Sequence, residues 1–93
     1  MFINKYKQIM VDFLEGNMSA DEFQTRYMEI FLKANDKLDE AHFEILNGVF
    51  ESADCYWHEC LPGQETSSEI SEQQLRNEIN EALIKLNILL DSR

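Results

Sequence analysis

One helix-start pattern occurs three times in this sequence. In each case a side chain that accepts hydrogen bonds stands at the N-cap, with an apolar residue directly before it and another four residues after it. The N-cap oxygen accepts a hydrogen bond from a first-turn backbone N–H, and the two apolar residues pack together as a staple. The three sets are Met18, Ser19 and Phe23; Leu38, Asp39 and Phe43; and Ile70, Ser71 and Leu75. Glu22 and Gln74 complete capping boxes, so the pattern predicts three helix starts.

The spacing of apolar residues predicts four helices. Apolar residues recur every three or four positions, which is the period of an amphipathic helix. The first helix ends before Gly16-Asn17, a pair suited to the left-handed conformation that closes helices. We predict helices over residues 2–15, 20–34, 40–58 and 72–91, with a long loop over 59–71. The expected fold is all-α, a single domain over 1–93 built as an antiparallel up-down-up-down four-helix bundle.

Composition favours a folded protein of the cytoplasm. A hydrophobic content of 44%, with three Gly and one Pro, argues against disorder and against a turn-rich β fold. No signal peptide follows Met1 and no apolar run reaches membrane-spanning length, so we expect a soluble protein. On one helix Cys55 and Cys60 would project about 140° apart. No disulfide is therefore expected, which suits a reducing compartment.

Half of the acidic residues lie in one stretch that has no basic residue. Residues 38–75 contain nine of the eighteen Asp and Glu residues and none of the eight Lys and Arg residues, in a chain of net charge −10. Direct binding to nucleic acid or to an anionic membrane is not expected, because both need positive charge. The charge favours a basic partner, or a role that imitates a polyanion.

The third helix separates polar from apolar side chains. At 100° per residue, its polar residues fall within a stripe about 80° wide. They are Glu40, Glu44, Asn47, Glu51, Asp54 and His58. The residues expected to face the core are Phe43, Leu46, Phe50, Ala53 and Trp57. Like charges four residues apart destabilise a helix by about 0.2–0.5 kcal/mol per pair. Two interpretations stay open: a solvated helix face, or a surface for a positively charged partner.

Residues 55–60 are the one cluster with the composition of a chemical site. Cys55, His58 and Cys60 offer three zinc ligands, but their spacing differs from that of paired structural sites and no second cluster supplies a fourth. A Cys55–His58 nucleophile pair lacks an orienting group. We therefore expect no metal, no cofactor and no catalytic residue. Tyr56 and Trp57 are expected to close the end of the core, and the alternative is that one of them is an interface anchor.

Several polar residues have structural explanations. The helix dipole favours acids in first turns. These acids are Asp21, Glu22, Glu40 and Glu72. Glu81 can pair with Lys85 at i,i+4, while Glu78 is too far from that lysine at i,i+7. His42 is expected to be a partly buried structural histidine.

The order of these signals resembles one protein family. Three blocks carry the resemblance and together span nearly the whole chain. They are FLEGNMSADEF at 13–23 with Arg26-Tyr27; FEIL at 43–46 with VF at 49–50 and ADCY at 53–56; and ISEQQLR at 70–76 with Ala82-Leu83 and Leu86. The chain resembles immunity proteins of the colicin D type, a group that includes relatives paired with contact-dependent growth-inhibition toxins.

That resemblance implies an inhibitor and not an enzyme. Such proteins are small helical bundles that bind a cognate nuclease toxin and block its active site. The colicin D toxin cleaves tRNA, so its inhibitor presents carboxylates where the RNA phosphates would sit. The expected partner is a basic, RNA-cleaving toxin domain. The contact residues are expected from the chain itself: they are the acids on the outer face of the third helix and the long loop that have no structural explanation, together with His58. They are Glu44, Glu51, Asp54, His58, Glu59, Glu65 and Glu69. The alternative is an acidic regulatory module that imitates nucleic acid and masks another basic protein.

Overall fold

Four α-helices form the fold. The computed structural model describes residues 2–33 and 39–91. The helices are α1 (Phe2–Leu14), α2 (Ala20–Lys33), α3 (Glu40–Cys55) and α4 (Glu72–Asp91). Within the two described ranges there is no strand, only one parallel bridge between Tyr56 and Ile70. The all-α prediction is confirmed. None of the described helices combines the length and apolar character that a membrane crossing requires.

The helices enclose one hydrophobic core. Each helix packs against the next in the chain, and α4 packs against α1, which is consistent with a four-helix bundle. All four helices contribute fully buried side chains. The largest are Tyr6, Tyr27, Phe13, Phe23, Met10, Leu46, Leu75, Ile79, Leu86 and Val49. The hydroxyl of Tyr27 donates to the carbonyl oxygen of Leu46 at 2.7 Å. This bond satisfies the one polar atom that the Tyr27 side chain brings into the core.

Aromatic contacts join the ends of neighbouring helices. Phe13 near the end of α1 stacks on Phe23 near the start of α2, with ring centroids 4.7 Å apart. Tyr6 near the start of α1 lies 6.4 Å from Phe31 near the end of α2. Phe31 in turn lies 6.1 Å from Phe43 at the start of α3. These contacts support an antiparallel order for α1, α2 and α3, and the up-down-up-down order of all four helices stays a prediction.

The three N-caps bond as the sequence predicted. The N–H of Glu22 donates to the Ser19 hydroxyl at 3.1 Å, and the N–H of Gln74 donates to the Ser71 hydroxyl at 3.1 Å. The N–H of His42 donates to the Asp39 carboxylate at 2.9 Å. Both capping boxes are half formed. The Glu22 carboxylate pairs with Arg26 at 2.8 Å. The Gln74 amide donates to Glu78 at 2.8 Å. The staple residue Leu38 and the predicted last residue of the second helix, Ala34, lie outside the described residues.

Helix α3 ends at Cys55, so the prediction that it continues to residue 58 is wrong. Tyr56 leaves the helical conformation, with φ −63° and ψ 128°. The N–H of Trp57 donates to the carbonyl oxygen of Ile70 at 3.1 Å, and the N–H of Ile70 donates to Cys55 at 2.9 Å. Backbone groups that would have extended the helix are therefore used in a strand-like pairing. The long loop covers residues 56–71 instead of 59–71.

The buried face of α3 differs from the predicted one. Leu46 and Ala53 are buried as expected, together with Val49. Phe43 and Trp57, both expected in the core, expose 47% and 44% of their surface. Phe43 lies at the edge of the apolar stripe, about 60° from the centre of the acidic stripe. Trp57 is exposed because it belongs to the loop and not to the helix.

Candidate partner-binding surface

The outer face of α3 carries a row of exposed carboxylates. Glu44, Glu51 and Asp54 are exposed. In residues 2–33 and 39–91, none of the three forms an ion pair with a Lys or Arg. The amide of Asn47 donates to Glu51 at 3.3 Å, a neutral contact that leaves the charge in place. These carboxylates are available to a partner, on the side of α3 that points away from Leu46 and the core.

The loop that follows α3 adds two more exposed carboxylates, those of Glu59 and Glu69. His58 was predicted to extend the stripe on α3, but it lies in the loop because the helix ends earlier. Its Nε2 is 3.5 Å from a carboxylate oxygen of Glu59, and its ring is 4.4 Å from the ring of Trp57. We call Glu44, Glu51, Asp54, Glu59 and Glu69 the acidic surface.

The carboxylate of Glu65 forms hydrogen bonds within the loop and with Ser71. One of its carboxylate oxygens accepts a hydrogen bond from the N–H of Gly63 at 2.8 Å. The other accepts from the hydroxyl of Ser71 at 2.5 Å. The bond from Ser71, followed by backbone bonds, lowers the pKa of Glu65. Because Ser71 also caps α4, the Glu65 carboxylate ties the loop to the start of that helix.

A groove of about 400 Å³ lies between α3 and α4 beside the acidic surface. Its lining includes Glu44 from α3 and Glu78, Glu81 and Lys85 from α4. Glu78 accepts hydrogen bonds from Ser52 and from Gln74. The sequence pattern did not reveal the Ser52 contact, since it joins positions 26 residues apart on two helices. The groove therefore extends the negative charge of α3 towards α4.

The two cysteines are free thiols with raised pKa values. Burial, and then the nearby acids Asp54, Glu78 and Glu51, raise the pKa of Cys55. Burial also raises the pKa of Cys60, with Glu65 and Glu69 as further causes. A raised pKa keeps a thiol protonated, and the thiolate is the reactive form. Within the described part of the chain, no three His, Cys, Asp or Glu side chains converge as metal ligands would.

His42 is buried at the start of α3, in line with the structural role predicted for it. Its Nδ1 lies 2.8 Å from the carboxylate of Asp39, whose oxygen also caps the helix. A carboxylate only accepts, so Nδ1 carries the hydrogen. Nε2 is buried and has no hydrogen-bond partner among the described residues. The histidine fixes the start of the helix that presents the acidic surface.

Two side chains that the sequence did not single out fix the ends of helices. The amide of Gln24 donates to the carbonyl oxygens of Ala53 and Tyr56 at the end of α3, at 2.7 and 3.0 Å. Arg76 donates to the carbonyl oxygen of Phe13 at the end of α1, at 3.1 Å, and its guanidinium lies 4.4 Å from the Phe13 ring centroid. These contacts join positions 29 to 63 residues apart, so no local spacing predicts them.

Comparison with known proteins identifies the family. Residues 1–86 match the family described as bacterial self-protective colicin-like immunity. No curated protein and no solved structure matches the chain. The match covers all three blocks on which the family resemblance rests, together with α3 and the loop that carry the acidic surface. The chain belongs to the colicin-like immunity family.

Proposed function

We propose that this protein neutralises a nuclease toxin, a tRNA-cleaving RNase of the colicin D or contact-dependent growth-inhibition type, by covering its RNA-binding site. Membership of the family implies that the partner is a cognate toxin and that the activity is inhibition and not catalysis. The nuclease chemistry of the toxin and the contact surface are the proposal. We also propose that the chain acts as one domain in the cytoplasm, where tRNA is found.

The acidic surface is the observation that carries the proposal. An RNase must hold the phosphates of its substrate, and Lys and Arg side chains provide most of that binding energy. Glu44, Glu51 and Asp54 present carboxylates along one exposed helix face, and no Lys or Arg in the described residues neutralises them. Such a row can occupy the cationic sites that otherwise hold phosphates. A toxin whose cationic sites are occupied in this way cannot bind RNA there.

The loop contributes to the same surface. Glu59 and Glu69 are exposed there, and residues 39–75 contain no basic residue. His58 can add a hydrogen bond to the partner while Glu59 lies beside it. Glu65 supports the interface by holding the loop in place, and its carboxylate is already bonded to Gly63 and Ser71. We therefore propose direct contact for the five residues of the acidic surface and His58, and a supporting role for Glu65.

A protection assay tests this function. The protein is expressed in a bacterium, the toxin domain encoded beside its gene is induced, and growth and tRNA integrity are followed. We expect growth to continue and tRNA to stay whole. If tRNA is cut regardless, the nuclease proposal is wrong and the acidic surface serves another basic partner, such as a protein regulated by a mimic of nucleic acid.

Charge reversal locates the contact surface in the same assay. The double variant Glu51→Lys with Asp54→Lys is expected to fold normally and to protect poorly. The matched control is Glu15→Lys with Glu29→Lys, which makes the same change in net charge at exposed positions that belong neither to α3 nor to the loop. Equal protection by the two double variants would place the interface elsewhere.

A further inference from the structure

Trp57 is the one tryptophan of the chain, and it exposes 44% of its surface in the loop. Leu61 follows it by four residues and exposes 59%. Between them the N–H of Cys60 donates to the carbonyl oxygen of Trp57 at 2.9 Å, which closes a turn. An exposed tryptophan leaves a large apolar area in water, and this residue type is enriched among the residues that dominate binding energy at interfaces.

The backbone at Trp57 is held from two other parts of the fold. Its N–H donates to the carbonyl oxygen of Ile70 at 3.1 Å. The carbonyl oxygen of the preceding residue, Tyr56, accepts from the Gln24 amide at 3.0 Å. Both polar groups of the Tyr56–Trp57 peptide are therefore fixed. A partner that binds the Trp57 ring then pays little conformational entropy to order the backbone beneath it.

The rest of the loop is braced by its own hydrogen bonds. The hydroxyl of Thr66 accepts from the N–H groups of Ser68 and Glu69, both at 3.1 Å. The N–H of Thr66 donates to the carbonyl oxygen of Glu69 at 2.9 Å. Glu65 links the loop to Ser71 at the start of α4. This network braces the segment that leads to Ile70, whose carbonyl oxygen holds the N–H of Trp57.

Three acidic residues lie close to Trp57, in the chain or through its backbone pairing. Asp54 and Glu59 lie on either side of Trp57 in the chain. Glu69 directly precedes Ile70, whose carbonyl oxygen accepts the hydrogen bond from the N–H of Trp57. The ring of His58 lies 4.4 Å from the ring of Trp57. An apolar centre with a polar, charged rim is the layout of a binding hot spot, because the rim excludes water from the centre. The sign of this rim selects a partner whose own rim is basic.

Among the described residues, Phe43 also exposes a ring in the stretch that has no basic residue, but this ring packs against Phe31 on α2, with centroids 6.1 Å apart. Leu32, Ile84 and Ile88 lie on regular helices, outside the stretch that has no basic residue. Charge complementarity to a basic toxin therefore applies to Trp57 and not to them. On the basis of the proposed function, we infer that Trp57, assisted by Leu61, is the apolar anchor of the toxin interface. Its counterpart on the toxin is an apolar pocket bordered by Lys and Arg.

The single tryptophan allows a direct test. The protein labelled with 5-fluorotryptophan gives one ¹⁹F resonance, and the unlabelled toxin domain, inactivated by mutation, contributes none. We expect toxin to shift this resonance and to remove its dependence on H₂O versus D₂O, because the ring leaves water. A resonance that keeps its solvent dependence in the complex would contradict the anchor. A change with protein concentration alone would indicate contact between two copies and would also overturn it.

Affinity measurements give the second readout. Trp57→Ala is expected to weaken toxin binding at least about thirty-fold, in the range of an interface hot spot. Trp57→Phe is expected to recover part of that loss. The control Ile88→Ala, at another exposed apolar position, is expected to bind within about twofold of the wild type. Helical content and thermal stability are compared for all variants, since Trp57 lies outside the core and its loss should leave the fold intact.

The outcomes separate the anchor from the proposed function. If the wild type protects and Trp57→Ala binds the toxin as tightly as the wild type does, the anchor is overturned and the proposed function stands. Failure of the wild type to bind or protect would overturn both. Loss of binding in Trp57→Ala together with normal binding in Ile88→Ala supports the anchor.

Discussion

The side-chain amide of Gln24 on α2 donates a hydrogen bond to the backbone carbonyl oxygen of Tyr56, 3.0 Å away, where α3 ends and the loop begins. The same amide bonds the carbonyl oxygen of Ala53 at 2.7 Å. The last carbonyls of a helix have no partner within the helix and need one from elsewhere. Together with the backbone pairing to Ile70, this side chain ends α3 and fixes the start of the loop that carries Trp57.

Replacing Gln24 should therefore destabilise the protein. In Gln24→Ala, the carbonyl oxygen of Tyr56 loses this donor, and that of Ala53 keeps only the longer bond from the N–H of Tyr56 at 3.3 Å. The expected cost is about 1–3 kcal/mol in the free energy of unfolding. Urea denaturation followed by circular dichroism measures this change. The control is Gln73→Ala, whose amide bonds Asn77 on the exposed side of α4 and should contribute less than about 0.5 kcal/mol. Equal stability losses in the two variants would contradict the capping role.

Glu65 should make the stability of the protein depend on acid pH. The hydrogen bond from Ser71 lowers the pKa of this carboxyl in the folded state, so folding favours its charged form. The stabilisation is complete above the unfolded-state pKa of about 4.3, and it is lost as the pH falls through the lowered folded-state pKa. Thermal unfolding as a function of pH should show Glu65→Gln less stable than the wild type near neutrality, with the two curves converging in acid.

The control for this prediction is Glu69→Gln, a nearby loop position whose side chain is exposed. It removes the same charge without removing a bond to the start of α4. A pH profile for Glu65→Gln that runs parallel to the wild-type profile down to strongly acid pH would show that the Ser71 contact does not stabilise the charged carboxyl.

Local signals in the sequence were sufficient for the starts of α2, α3 and α4. Ser19, Asp39 and Ser71 each bond an N–H only three residues away, so a short window of sequence contains both partners. The outward position of Glu44 and Glu51 also follows from helical periodicity alone. The family resemblance added the expectation of a toxin partner, and the family match confirms it at the level of colicin-like immunity.

Contacts between residues far apart in the chain account for the features that the sequence did not predict. The end of α3 depends on Gln24, 32 residues before Tyr56, and on a backbone pairing with Ile70. The helical spacing of apolar residues continues through Trp57, and no helix-breaking residue stands close to it in the sequence. This spacing therefore predicts a core position for the Trp57 ring. The bracing role of Glu65 depends on the loop conformation that brings it to Ser71. Which carboxylates touch the toxin stays a prediction.

Two glycines should respond in opposite ways to the same substitution. Gly48 is helical in α3, and a Cβ there would meet no atom within 4 Å. Gly48→Ala should raise the free energy of unfolding by about 0.5–1 kcal/mol, because glycine loses more backbone entropy on folding. Gly16 has φ +83°, so Gly16→Ala should destabilise the protein. Thermal unfolding of both variants checks the pair, and a destabilised Gly48→Ala would contradict the open space at that position.

The acidic surface and Trp57 should act on different rate constants of toxin binding. Long-range attraction between opposite charges speeds encounter, whereas a buried aromatic contact holds the formed complex. In stopped-flow or biosensor measurements at low salt, Glu51→Lys with Asp54→Lys should lower the association rate constant about tenfold or more. Trp57→Ala should mainly raise the dissociation rate constant.

Salt separates the two effects further. At 1 M ionic strength the screening length falls to about 3 Å, so the association rate constants of the wild type and of the double charge reversal should approach each other. The dissociation rate constant of Trp57→Ala should stay raised, because removal of apolar area does not depend on screening. Association that is equally fast at all salt concentrations would contradict electrostatic steering by Glu51 and Asp54. A lowered association rate with unchanged dissociation in Trp57→Ala would mean that this ring guides encounter and does not anchor the complex.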